Sequence, residues 1–238
     1  MRSTKRVIVA LDVETANEAR QIVGELRDHA AAFKIGLQLF TAAGPELVRE
    51  ISAENRVFLD LKFHDIPNTV AKAGVEAAKL GVWMFNVHAS GGSEMMRRTV
   101  EEVGAKCERE RLERPLIIGV TVLTSSGANT LLEIGIEKDA GEQVLRLARL
   151  SAGSGLDGVV ASPLEIATIK NANGDGFVVV TPGIRAEIGT NNDQKRVSTP
   201  RNAVSNGADY LVIGRPILTS EDRLAKLTEI NDEIGAIA

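Results

Sequence analysis

Short apolar segments alternate with helical segments along the whole sequence. Eight of the apolar segments are expected to form strands, one beginning at Val57 and the others at residues 7–11, 32–36, 82–87, 116–122, 158–161, 177–180 and 210–213. Nearly continuous apolar runs of this length are typical of strands buried on both faces. Because a helix follows each strand, the strands should be parallel, and eight such units in 238 residues match a (β/α)8 TIM barrel.

A doubly wound open sheet is the alternative for such an alternating pattern. That fold would carry a glycine-rich phosphate-binding turn after its first strand, whereas this chain has Asp12-Val13-Glu14-Thr15 there. No change of composition divides the chain, so we expect one barrel domain over residues 1–238. The helix after the second strand is expected at residues 45–53.

Composition excludes several classes of function. The formal net charge of −4 implies no basic face, so a nucleic-acid partner is not expected. No apolar run reaches the roughly 18 residues that a membrane span needs. The N-terminus leads into a strand without the apolar region of a signal peptide. We therefore expect a cytoplasmic protein that binds no membrane.

Polar residues gather where the predicted strands end. In a TIM barrel the active site lies at the carboxyl ends of the strands. In this chain those ends carry Asp12, Lys34, Asp60, Lys62, His88, Thr124, Ser162, Gly183 and Arg215. Since the helix-facing positions of the same strands are aliphatic, we expect a functional rim, with His88 as a hydrogen-bonded structural histidine.

The densest group of charges lies in the stretch FLDLKFHDIPNT, residues 58–69. Side chains alternate along a strand, so Asp60 and Lys62 should lie on the same face. Burying such charges is costly unless they are paired. A structural ion pair, with Asp65 as the N-cap of the next helix, is one interpretation, and an active site is the other.

The ends of the last two strands suggest a phosphate site. Glycines in residues 181–183 and 213–215 would let backbone N–H groups approach an anion, although simple turn geometry would also explain them. Arg215 offers a bidentate donor, and barrels often bind phosphate at these two loops. The polar segment 184–199 is longer than a connection requires, so we expect a lid there, with a surface insertion as the alternative.

No metal site is expected from the sequence. Asp12, Asp60 and Asp65 are acids of the kind that hold Mg²⁺. However, Lys34 and Lys62 lie among them and would already supply their cationic partners.

Eight motifs stand out along the sequence, namely VALD (9–12), FKIG (33–36), FLDLKFHDIPNT (58–69), GVWMFNVHASGG (81–92), VTVLTS (120–125), DGVVAS (157–162), VTPGIR (180–185) and VIGRP (212–216). Taken together, these motifs make the chain resemble the orotidine 5'-monophosphate decarboxylase family of the bacterial type. The Asp-x-Lys-x-x-Asp core is shared with Mg²⁺-dependent sugar-phosphate decarboxylases and aldolases of the same superfamily. Those relatives carry an acid near the end of the second strand, where this chain has Lys34.

This resemblance implies cofactor-free decarboxylation of orotidine 5'-monophosphate to UMP and CO2 in de novo pyrimidine biosynthesis. Lys62 would stabilise the C6 carbanion and protonate it, within a charged array that also includes Lys34, Asp60 and Asp65. Asp65 would reach the active site of a partner subunit, which implies a homodimer.

The resemblance also implies the substrate contacts. Asp12, Lys34 and Asp60 would bind substrate, with the ribose hydroxyls held by the first two and by Thr69 from the partner. The remaining contacts would be Thr124 and Ser162 near the pyrimidine, and Arg185, Gln194, Gly214 and Arg215 at the 5'-phosphate. Two other functions stay open, namely a Mg²⁺-dependent sugar-phosphate enzyme and a non-catalytic nucleotide-binding barrel.

Overall fold

A computed structural model describes residues 5–184 and 198–236 and shows a closed barrel of eight parallel strands in sequence order. The strands are β1 (Val7–Ala10), β2 (Ala32–Gly36), β3 (Val57–Phe63), β4 (Met84–His88), β5 (Leu116–Val120), β6 (Gly158–Val160), β7 (Val178–Thr181) and β8 (Tyr210–Ile213). β1 pairs with both β2 and β8, which closes the sheet. The (β/α)8 barrel expected from the alternating pattern is confirmed.

Helices connect the strands. They are α1 (Ala16–Leu26), α2 (Leu37–Ser52), α3 (Pro67–Lys79), α4 (Gly92–Glu110), α5 (Ala128–Glu133), α6 (Ala140–Gly153), α7 (Ile166–Asn173), α8 (Pro200–Ser205), α9 (Arg215–Leu218) and α10 (Arg223–Gly235), with a 3-10 turn at Ala89–Gly91. In the described ranges, no helix is long and apolar enough to cross a membrane.

Three helices differ from the sequence expectation. α2 begins at Leu37 rather than at residue 45, because a first helical stretch precedes a break at Gly44 and Pro45. Gly44 has a φ of 72°, and Pro45 cannot donate the helical hydrogen bond. Because these residues interrupt the helical pattern, the sequence predicts only the part of α2 that follows them. The short helices α5 and α9 were not predicted.

Strand alternation divides the side chains into two layers. One set fills the barrel interior and comprises Ile8, Ala10, Ala32, Phe58, Met84, Ile118, Val180 and Val212. The neighbouring strand residues, such as Leu59 and Phe85, pack in the larger core beneath the helices. Asp60 follows Phe58 on the interior face of β3, and Asn86 follows Met84 on that of β4. Polar groups therefore lie next to this apolar layer, toward the carboxyl ends of the strands.

Aromatic rings cover this interior layer at the amino ends of the strands. Trp83 and Tyr210 meet edge to face, with ring centroids 5.0 Å apart, and both pack against the interior cluster. The guanidinium of Arg56 lies 5.3 Å from the Trp83 ring centroid. Such aromatic and cation–π contacts close this end of the barrel with well-packed surface.

Two carboxylates join neighbouring strands at the same amino end. Asp209 Oδ2 accepts from the Lys170 ammonium at 2.6 Å and from the Val179 backbone N–H at 2.8 Å. Asp157 Oδ2 accepts from the Ile117 N–H at 2.7 Å, and its carboxylate also pairs with Arg114. Each carboxylate therefore combines a charge partner with a backbone group of the adjacent strand, and we call these two sites the amino-end latches.

Candidate active site

A cavity of about 520 Å³ opens at the carboxyl ends of the strands. This volume is in the range of small-molecule sites. Its wall includes the sequence-predicted residues Asp12, Lys34, Asp60, Lys62, Thr124, Gly183, Gly214 and Arg215. The strand ends thus bring most of the predicted site residues together around one space.

Four charged side chains of alternating sign line one wall of the cavity. The Lys34 ammonium lies 3.0 Å from Asp12 Oδ1 and 3.5 Å from Asp60 Oδ2. The Lys62 ammonium lies 2.7 Å from Asp60 Oδ1. We call Asp12, Lys34, Asp60 and Lys62 the charged row; it shows that the predicted Asp60–Lys62 pair is part of a longer network.

Burial varies along the charged row. The side chains of Lys34 and Asp60 are 10% and 13% exposed, whereas that of Lys62 is 31% exposed. Charges buried to this degree are stable only when they are paired and hydrogen-bonded. Lys34 and Asp60 are therefore held in fixed positions. The Lys62 ammonium is the more accessible of the two cations at the cavity.

Asn86 extends this network, and sequence reasoning missed it. Its Nδ2 donates to Asp60 Oδ1 at 2.7 Å, and its Oδ1 accepts from the Lys62 backbone N–H at 2.8 Å. A sequence signal for it existed. Asn86 lies two residues after Met84, so side-chain alternation places its polar group on the interior face of β4, beside β3.

The backbone of Lys62 departs from a regular strand. Its φ is 53°, in the left-handed region that non-glycine residues rarely adopt. The pairing of β3 with β4 shifts register between Leu59 and Phe63, as in a β-bulge. Bulges are common next to active sites, and here the irregular stretch includes Lys62, whose side chain lines the cavity.

Two histidines lie beside the charged row and are not among the residues that line the cavity. The rings of His64 and His88 are 5.3 Å apart between centroids. In the described part of the chain the His88 ring has this contact rather than the hydrogen bond expected from the sequence. Burial lowers the pKa of His88, the charges of His64 and Lys62 lower it further, and Asp60 opposes them.

Glycines shape the cavity near the ends of β7 and β8. Gly183 has a φ of 81°, a conformation that favours glycine. A Cβ atom on Gly214 would lie 3.2 Å from Asp12 Oδ2, so a side chain there would crowd the charged row. Arg215 follows directly and is exposed at the cavity.

The flanks of the predicted lid meet beside these glycines. Ile184 and Ser198 form a parallel bridge, and the Ser198 N–H donates to the Gly183 carbonyl at 3.3 Å. Arg185, Gln194 and nearly all of the lid expected at 184–199 lie outside the described residues.

Three other predicted residues are not among those that line the cavity. Asp65 and Thr69 are exposed, and Asp65 Oδ1 accepts from the adjacent Ile66 N–H at 2.6 Å. The N-cap of α3 is Ile66, so the interpretation of Asp65 as a helix cap is wrong. Ser162 is buried, and its hydroxyl oxygen accepts from the Leu164 N–H at 3.3 Å.

Comparison with known sequences assigns this arrangement to a family. The family described as orotidine 5'-phosphate decarboxylase / HUMPS matches residues 5–230. The chain belongs to this family. Two relatives, both named orotidine 5'-phosphate decarboxylase, come from Syntrophotalea carbinolica and Geobacter sulfurreducens. The first is 49% identical over 99% of this chain and 97% of its own length. The second is 51% identical over 99% of this chain and 98% of its own length.

Solved structures show the same fold. The orotidine 5'-phosphate decarboxylase of Lactobacillus acidophilus superposes with a TM-score of 0.85 at 36% identity, covering 97% of this chain and 99% of that protein. An uncharacterised conserved protein from Geobacillus kaustophilus gives a TM-score of 0.84, also at 36% identity, over 96% of this chain and 99% of its own.

Two of the three acids considered for Mg²⁺ in this orotidine 5'-phosphate decarboxylase / HUMPS family member form ion pairs with lysine. Asp12 and Asp60 both contact the Lys34 ammonium. Within residues 5–184 and 198–236, no group of three or more His, Cys, Asp or Glu side chains could hold a metal ion. The chemistry that this wall offers is that of fixed ammonium and carboxylate groups.

Proposed function

We propose that this chain decarboxylates orotidine 5'-monophosphate to UMP and CO2, without a cofactor, as a cytoplasmic enzyme of de novo pyrimidine biosynthesis. The observation that carries the proposal is the charged row, which holds the Lys62 ammonium against Asp60 at the cavity. It is supported by relatives of about half identity over nearly the whole chain that are named orotidine 5'-phosphate decarboxylase.

Lys62 supplies the chemistry in this proposal. The bond between C6 and the carboxylate breaks, CO2 leaves, and the electron pair stays on C6, where no conjugated group can accept it. A fixed cation stabilises such a carbanion, because it needs no reorganisation as the charge develops. The Lys62 ammonium then gives its proton to C6, and the amine is protonated again from solvent.

Asp60 and Lys34 hold Lys62 ready for this step. Asp60 accepts from Lys62 and Asn86 through one oxygen and lies near Lys34 through the other. A carboxylate held on several sides cannot turn away when substrate enters. This preorganisation supports a role for Asp60 and Lys34 in holding the proton donor in place.

Substrate binding follows from the rest of the cavity wall. In the proposal, Asp12 and Lys34 hold the ribose hydroxyls, and Thr124 lies against the pyrimidine. Ser162 donates its O–H to the pyrimidine in this proposal, while its oxygen accepts from the Leu164 N–H. The phosphate lies near Gly214 and Arg215, and binding energy from this remote group can serve the reacting centre.

A homodimer completes the site in this proposal. Asp65 and Thr69 are exposed, and the apolar side chain of Ile66 between them is 67% exposed. We propose that this stretch enters the cavity of a partner subunit, where Asp65 adds a second carboxylate near Lys62.

The dimer proposal has a complementation test. Lys62→Ala and Asp65→Ala chains, each inactive alone, are mixed under conditions of confirmed subunit exchange. A mixed dimer then has one site with both residues intact, so the mixture should recover about a quarter of wild-type activity. No recovery after exchange would refute a contribution across the interface.

The function itself is tested by following the loss of orotidine 5'-monophosphate absorbance with purified protein, with and without EDTA. We expect turnover that EDTA does not change. An EDTA-sensitive reaction on a keto-sugar phosphate would instead establish a Mg²⁺-dependent enzyme. Tight UMP binding without turnover would establish a nucleotide-binding barrel.

A further inference from the structure

Asn86 is buried inside the barrel, 1% exposed, and in the reaction scheme above it only helps to hold Asp60. It is not among the residues that line the cavity. The orientation of its amide is fixed by its partners, since the Lys62 backbone N–H can only donate and the Asp60 carboxylate can only accept. Both ends of one amide therefore reach the two residues that matter most for the proposed reaction.

The first of these bonds supports an unfavourable backbone. A non-glycine residue in the left-handed region is energetically unfavourable, and Lys62 is such a residue. The pairing of β3 and β4 passes from Leu59 opposite Phe85 to Phe63 opposite Val87, so Asn86 stands opposite the irregular stretch. Its side-chain oxygen accepts from the Lys62 N–H, as a strand carbonyl would in a regular sheet.

The second bond fixes the carboxylate. Asp60 Oδ1 accepts from Asn86 Nδ2 and from the Lys62 ammonium, each at 2.7 Å. With Asn86 on one side and Lys62 on the other, rotation of the carboxylate would break two short bonds at once. One side chain thus contacts both the Lys62 backbone and the carboxylate that binds the Lys62 ammonium.

We propose that Asn86 is the positioning residue that sets the Asp60–Lys62 geometry for decarboxylation. This inference rests on the proposed function, because the geometry matters only if Lys62 is the proton donor. A purely structural asparagine would contribute stability alone. A positioning residue changes the rate of the chemical step and leaves the binding of product nearly unchanged, since it does not touch the cavity.

The test compares Asn86→Ala and the isosteric Asn86→Asp with the wild type. Displacing a reacting group by about 1 Å can cost about 100-fold in rate, so we expect Asn86→Ala to lower kcat by about that factor. The UMP dissociation constant should stay within about threefold. Should Asn86→Ala fail to fold, Asn86→Asp preserves the shape and carries the same test.

Asn86→Asp separates the two bonds. A carboxylate can still accept from the Lys62 N–H, but when ionised it cannot donate to Asp60 and repels it. We therefore expect hydrogen exchange of the Lys62 amide to stay slow in Asn86→Asp and to become fast in Asn86→Ala. Loss of kcat in both variants would show that Asp60 needs a neutral donor at this position.

Ser151→Ala serves as the matched control. Ser151 is also fully buried, and its hydroxyl donates to the Leu147 carbonyl at 2.8 Å. Both residues belong to α6, far along the chain from Asn86. It should lose stability without losing kcat.

A wild type that turns over, together with an Asn86→Ala kcat within about threefold of it, would overturn the inference alone. An equal loss of kcat in Ser151→Ala would also overturn it. A wild type that does not decarboxylate orotidine 5'-monophosphate would instead overturn the proposed function.

Discussion

The two ends of the barrel use the same ionic groups in different ways. At the amino end, Asp209 pairs with Lys170 and also accepts from the Val179 backbone N–H. At the carboxyl end, the partners found for Asp60 among the described residues are the side chains of Lys34, Lys62 and Asn86. The amino-end latches join strand to strand, whereas the charged row orders side chains around a cavity.

The difference lies in what each arrangement leaves accessible. Lys170 has three acceptors, namely Asp209 and the carbonyls of Asp175 and Phe177, and its side chain is 10% exposed. Among the described residues Lys62 has one side-chain partner, and it is 31% exposed with a strained backbone. An ion pair thus indicates function when it is only partly satisfied, lies at a cavity and requires an unfavourable conformation.

The largest effect that would distinguish the two ends concerns Lys62. Lys62→Ala removes the cation and the proton donor, so we expect kcat to fall by about 10⁴-fold or more, as for other residues that carry out the chemistry. UMP should still bind. The measurement is the absorbance assay, with the exposed Lys79→Ala as the control that keeps wild-type turnover.

Lys170→Ala is the counterpart at the amino end. It leaves Asp209 without its charge partner, which for a largely buried pair costs about 3 kcal/mol of unfolding free energy. Denaturant unfolding would measure this loss, and kcat per folded molecule should stay within about threefold of wild type. If kcat fell strongly while Lys170→Ala remained fully folded, the distinction between the two ends would be wrong.

A moderate effect is expected for Arg215→Ala. A charged hydrogen bond is worth about 2 kcal/mol, so losing a phosphate contact should raise KM for orotidine 5'-monophosphate about 30-fold. The same substitution should not change affinity for the nucleoside without its phosphate. If affinity for both ligands fell equally, Arg215 would not be a phosphate contact.

The smallest effect is the pH dependence of stability through His88. Its pKa is lowered from 6.5 in the folded protein, so below that value the unfolded chain binds the proton first. Stability contributed by neutral His88 is therefore lost as pH falls through the interval between the unfolded and folded pKa values. From about pH 7 to about pH 5, His88→Gln should lose less unfolding free energy than wild type.

The sequence predicts the barrel and most of the charged wall for simple reasons. Strand–helix alternation determines the parallel sheet, and period two places Asp60 and Lys62 on one face. The N-cap of α3 could also have been predicted correctly. Pro67 favours the first helical position, which makes Ile66 the cap and excludes Asp65.

The parts that could not be predicted depend on contacts between strands. Asn86 is an uncharged residue within an apolar strand, and its role depends on the register shift between β3 and β4. The left-handed backbone of Lys62 lies within the same shift, and no local signal such as glycine marks it in the sequence. Such features arise only when two strands distant in sequence are paired.

The most direct test of the roles of the charged row and the amino-end latches measures kcat and unfolding free energy in parallel, for Asp60→Asn and Asp209→Asn. Both substitutions remove one charge without changing shape. We expect Asp60→Asn to lower kcat about 10³-fold with the smaller loss of stability, because it disturbs a preorganised charge. Asp209→Asn should show the larger loss of stability and nearly wild-type kcat. Equal effects of the two variants on kcat would contradict the assignment of catalysis to the charged row.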